Sequence, residues 1–90
     1  MLSEVKGINQ ELVSIYNELL YHGKYEDHTT RMERVKEIQA RINRIKPHAK
    51  DAETKEQIKI AENNIDFVLY NAKRYQREYR GLKKLYEEKE

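Results

Sequence analysis

The chain has no cysteine, one proline and three glycines among its 90 residues. The first absence excludes a disulfide framework, a thiolate metal site and a cysteine nucleophile, and fits a cytoplasmic protein. The scarcity of Pro and Gly leaves few places to turn, which favours a few long helices over many short strands. No stretch approaches the roughly 20 apolar residues of a membrane span, and the start lacks the apolar core of a signal peptide. No membrane partner is therefore expected. The sequence also lacks a Gly-rich phosphate loop, an HExxH pair and any Glu-x-x-His. Glu18 and His22 stand four apart, alone and near a helix end, where a histidine usually caps the helix or faces water. No catalytic residue, metal ligand, cofactor or small-molecule substrate is assigned, and a helical-bundle enzyme is kept as a remote alternative.

Apolar and charged residues each make up 38% of the chain, so the core must be a narrow stripe rather than a thick interior. From Ile58, alternating steps of three and four reach Ala61, Ile65, Val68, Ala72, Tyr75, Tyr79, Leu82 and Tyr86, every one uncharged. That spacing is the seam of a helix packed lengthwise on other helices. No Pro interrupts residues 51–88, which are expected to form one helix weakened at Gly81 alone.

Two shorter helices precede it. The first is expected over about residues 4–22, with Ser3 as N-cap, Gly23 as stop and a seam of Val5, Ile8, Leu12, Ile15 and Leu19. Val13, Tyr16 and Leu20 are expected to widen that seam. The second spans about residues 31–46, where Thr30 and Glu33 have capping-box spacing and Val35, Ile38, Ile42 and Ile45 form the seam. Pro47 ends it, and Asp51 opens the third, with Thr54 and Gln57 as a second start. Short connections imply antiparallel neighbours. The fold expected for residues 1–90 is a single all-α domain, an antiparallel three-helix bundle with a long, projecting C-terminal helix.

Length then bears on function. At about 1.5 Å per residue the third helix outruns its companions by roughly 20 Å or more. The projecting part carries Tyr75, Tyr79, Leu82 and Tyr86, whose exposure would mark an interaction surface. These four are the predicted partner-binding residues, for a second copy (a homodimer or higher) or for another protein. The alternative is that the His22–Thr29 loop folds back, with Tyr21 and Tyr25 covering the seam.

Charge falls in blocks along the chain. Residues 1–30 and 51–70 each hold two basic and five acidic groups, residues 31–50 seven and two, and residues 71–86 six and one. Within the last block Lys73, Arg77, Arg80 and Lys84 recur at helical spacing opposite the seam, a basic stripe suited to an acidic protein or to nucleic-acid phosphates. No helix-turn-helix, zinc-finger or basic-zipper pattern accompanies it. The expected function is a small non-enzymatic interaction or regulatory protein of adaptor or inhibitor type, with a DNA-binding helical dimer as the alternative. The richness in Lys, Glu, Ile, Asn and Tyr suggests an AT-rich bacterial or phage genome.

Overall fold

In the computed structural model, which describes residues 1–89, α1 spans Leu2–His22, α2 Thr29–Ile45 and α3 Ala52–Lys89. Short 3₁₀ turns, Gly23–Tyr25 and Lys46–His48, complete the connections. Cross-helix pairs give the topology. Glu4 faces Arg41 and Glu18 faces Arg34, so α1 and α2 run antiparallel. Lys6 faces Glu53 and the Tyr16 ring meets Phe67, so α1 and α3 run parallel. Lys46 faces Glu62, and the backbone of His28 meets Gln76. The result is an all-α, up-down-up bundle with a long C-terminal helix. Among the described residues no helix is long and apolar enough to cross a membrane.

The core is the narrow stripe that the spacing implies. Val5, Ile8, Leu12, Ile15 and Leu19 of α1, Val35, Ile38 and Ile42 of α2, and Ile58, Ala61, Ile65, Val68 and Ala72 of α3 are buried together. Ile45, Met32 and Tyr16 pack at its margin. Val13 and Leu20 do not widen it; they are 55% and 51% exposed. Each lies one step around the helix from the seam, on a side where α3 leaves room for Tyr16 but for no second layer.

The helix starts differ from expectation at two of the three ends. Ser3 is not a cap, because α1 begins at Leu2 with Met1 as its N-cap residue. The Thr30–Glu33 box does not form either; α2 begins at Thr29 and has no side-chain bond from its own N-cap residue, His28. Its start is held from elsewhere. Gln76, on α3, accepts the His28 backbone N–H at 2.6 Å, and Asp27 accepts that of Thr29 at 2.8 Å. Asp51 does cap α3, taking the Thr54 N–H and hydroxyl at 3.0 and 2.7 Å. Those two bonds from Thr54 hold the Asp51 carboxyl below the usual carboxylate range.

α3 has 38 residues against 21 in α1 and 17 in α2. Among the described residues the last one of α3 to be buried is Gln76, one turn beyond Ala72. Residues 77–89 extend past that point for about 20 Å, and the molecule is 58 Å long but only 20 by 15 Å across.

Candidate docking surface at the free end of helix 3

The loop after α1 decides how much of the α3 seam is covered. Gly23 takes φ +52°, a conformation that strains a side chain, and its N–H bonds back to Leu19 O. The turn brings Gly23 against the Tyr75 ring, 4.0 Å from where a Cβ would stand. His28 closes the turn from the other side. It is fully buried, its Nε2 donates to Gly23 O, and its Nδ1 accepts from the Arg31 guanidinium at 3.2 Å. These two partners fix the neutral Nε2–H tautomer. Glu26 ties the loop outward, its carboxylate 2.6 Å from His22 and 3.5 Å from Arg31.

The fold-back alternative is thus realised as far as Tyr75, though not by the residues expected. Tyr21 and Tyr25 remain 85% and 77% exposed, and the covering is done by Gly23 and His28. Tyr75 is half-buried against the core, with its ring 6.1 Å from that of His28 and 4.9 Å from the Arg74 guanidinium. It belongs to the bundle more than to a free surface.

Beyond it the seam opens. Tyr79 and Leu82 are half-buried, Tyr86 is 66% exposed, and Leu85 beside it is 49% exposed. Tyr79, Leu82 and Tyr86 form one wall of a groove of about 270 Å³, and Lys24 and Tyr25 form the other. Lys83 and Glu87 stand at its rim. Of the predicted binding residues, three therefore share one concave site and Tyr75 does not. Tyr25 was expected against the seam only as a cover in the fold-back alternative, and Lys24 was not foreseen. A lone aromatic in a polar connection was the available signal, and only the positive-φ turn at Gly23 determines where it points.

The basic stripe stays in water. Lys73, Arg77, Arg80 and Lys84 are all exposed. Lys73, Arg77 and Arg80 border a second, polar depression of about 220 Å³ with Met32 and Gln76. Arg80 also acts on the loop. The Asp27 carboxyl is held below the usual range by hydrogen bonds from Thr29, with smaller contributions from Gln76 and from the Arg80 charge. Three of the five basic residues of α2, by contrast, are matched: Arg31 and Arg34 meet Glu18, and Arg41 meets Glu4 and Glu11.

Among the described residues no three His, Asp or Glu side chains gather where they could hold a metal ion. No protein-family model matches the chain, and no curated protein or solved structure matches it either.

Proposed function

We propose that this chain is a non-enzymatic interaction protein of the adaptor or inhibitor kind, acting in the cytoplasm, whose docking site is the groove at the free end of α3. The observation that carries the reading is the pairing of Tyr79, Leu82 and Tyr86 with Tyr25 across one apolar cleft beyond the bundle. Exposed aromatic rings, whose hydroxyls can stay at the water-facing edge, are among the residues that gain most from a partner. The cleft suits one turn or two of an amphipathic helix, its apolar side toward the tyrosines. Lys24 and Lys83 at the groove, with Lys73, Arg77, Arg80 and Lys84 around the same helix, favour acidic flanks on that partner.

The same charges weigh against two overhangs pairing side by side. Residues 71–86 hold six basic groups and one acidic, so two copies would face each other with like charge. Pairing along the whole seam would also need Tyr75, which the loop already covers. The second reading, nucleic-acid binding, rests on the exposed basic stripe; Asp27 beside Arg80 and Glu87 at the groove rim oppose a phosphate backbone there.

A titration separates these readings. The probes are an amphipathic helical peptide with a leucine face and glutamate flanks, the same peptide with lysine flanks, and duplex DNA. The acidic-flanked peptide should bind, more weakly as salt rises, and Tyr79→Lys with Leu82→Lys should abolish binding while helical content persists. Binding of DNA alone, lost on Arg77→Glu with Arg80→Glu, would replace the reading with the nucleic-acid one.

A further inference from the structure

A second surface, on the side of the bundle away from α2, has a different chemistry. Along α1 the exposed stripe runs Gln10, Val13, Asn17, Leu20, and along α3 it runs Ile60, Asn63, Phe67, Tyr70. Neither stripe contains a charge, in a protein where 38% of residues are charged. The two lie side by side, since Val13 and Tyr16 share a shallow groove with Asn64 and Phe67. Phe67 is 52% exposed and Tyr70 69%, alongside the half-exposed Val13 and Leu20.

The boundary between these helices is also built without ions over this stretch. Asn9 donates to the backbone and side-chain oxygens of Gln57 at 3.2 Å, and Asn64 donates to Asn9 at 3.4 Å. Tyr16 stacks obliquely on Phe67, centroids 5.0 Å apart. The α1–α2 boundary is the opposite case, laced with Arg–Glu pairs at Glu4, Glu11 and Glu18. Depletion of charge together with exposed aromatic and aliphatic groups is what marks the centre of a protein interface.

Along the stripes charge returns at their ends, and with opposite sign, while exposed Lys59 and Asp66 flank the α3 stripe on its edge away from α1. At the end where α1 begins, Glu53 and Glu56 of α3 outnumber Lys6, which pairs with Glu53. At the far end stand Lys24 and Arg74, with Glu78 one turn beyond Arg74. A second copy laid antiparallel on this face stacks α1 on α1 and α3 on α3, setting Glu56 of each chain against Arg74 of the other and the uncharged centres against each other. A parallel arrangement would juxtapose like charges at both ends. The face is also large enough. From Gln10 to Leu20 it is about 15 Å long, and with the flanking ends about 25 Å. Two helices wide, it can bury on the order of 1,000–1,500 Å² in total, within the range of specific dimers.

We propose that the uncharged α1–α3 face is where two copies of this chain meet, antiparallel about a twofold axis near Val13 and Asn64. This surface is distinct from the groove at the end of α3. The arrangement sends the two overhangs in opposite directions and leaves the two grooves ~50 Å apart, so that one dimer could engage two sites on a partner at once.

The test is sedimentation equilibrium of the full chain, whose monomer mass is 10.9 kDa. The wild type should approach twice that mass as concentration rises. Val13→Lys with Phe67→Lys should raise the dissociation constant at least about tenfold, with helical content unchanged because both positions already touch water. Should that pair disturb the fold, Asn17→Lys with Asn63→Lys reports instead, as both side chains are exposed. Glu56→Lys and Arg74→Glu should each weaken the dimer, and together restore it. A chain that stays monomeric at its highest soluble concentration overturns the proposal. So does a dimer indifferent to these changes, or one lost instead on Tyr86→Lys.

Discussion

Gln76 has a larger structural role than its place in the chain suggests. It is 5% exposed, accepts the His28 N–H, and lies 3.5 Å from the Thr29 hydroxyl, so one amide on α3 holds both the start of α2 and the turn that covers Tyr75. Gln76→Ala leaves a buried N–H without a partner and should cost about 1–3 kcal/mol of unfolding free energy in urea denaturation. Nothing local could have announced this cap, because donor and acceptor are 48 residues apart; the local signal, Thr30 followed by Glu33, pointed elsewhere. Asp51 was legible because its partner, Thr54, is three residues away. The lowered values of Asp27 and Asp51 set a pH dependence. Each carboxyl is more acidic folded than unfolded, so its contribution is complete above the unfolded value of about 3.9 and is lost as pH falls through the folded value. Denaturation midpoints should therefore drop on acidification below that range. Asp51→Asn should lower the midpoint at neutral pH and make it less sensitive to acid.

At the scale of the elements, the seams were legible because their period is a property of one helix, and every buried aliphatic of α1 lies on the expected line. Extent was legible too, since Pro47 and Gly23 are local signals. The side each helix turns to water was not. Val13 and Leu20 look like core by spacing alone, and only the position of α3 shows that they border an open face. The glycines allow an element-by-element comparison. A Cβ at Gly7 or at Gly81 meets nothing within 4 Å, so alanine fits at both. Gly7 lies within the packed bundle, and Gly7→Ala should raise unfolding free energy by about 0.5–1 kcal/mol. Gly81 lies beyond Gln76, where the sparse packing should leave helix formation uncoupled from global unfolding. Gly81→Ala should leave the thermal midpoint unchanged while slowing amide exchange around residue 81. Equal gains at both sites would mean that the whole of α3 unfolds with the bundle.

At the scale of the molecule, the proposed function follows from unequal reach. α3 serves two purposes: to Gln76 it completes a core, and beyond Gln76 it offers Tyr79, Leu82 and Tyr86 with Tyr25 as the opposite wall. The overhang could be inferred from helix lengths alone, but its groove could not, because the second wall comes from a loop whose course depends on Gly23 and His28. Stability in such a rod is uneven, highest where three helices pack and lowest where one runs alone. Hydrogen exchange along α3 of the free chain reads this division directly. Amides from Ile58 to Gln76 should exchange at the rate set by global unfolding. Those from Leu82 to Tyr86 should exchange orders of magnitude faster and slow sharply when the acidic-flanked peptide is added. Protection as strong at Tyr86 as at Ile65 in the free chain, unchanged by the peptide, would contradict the account.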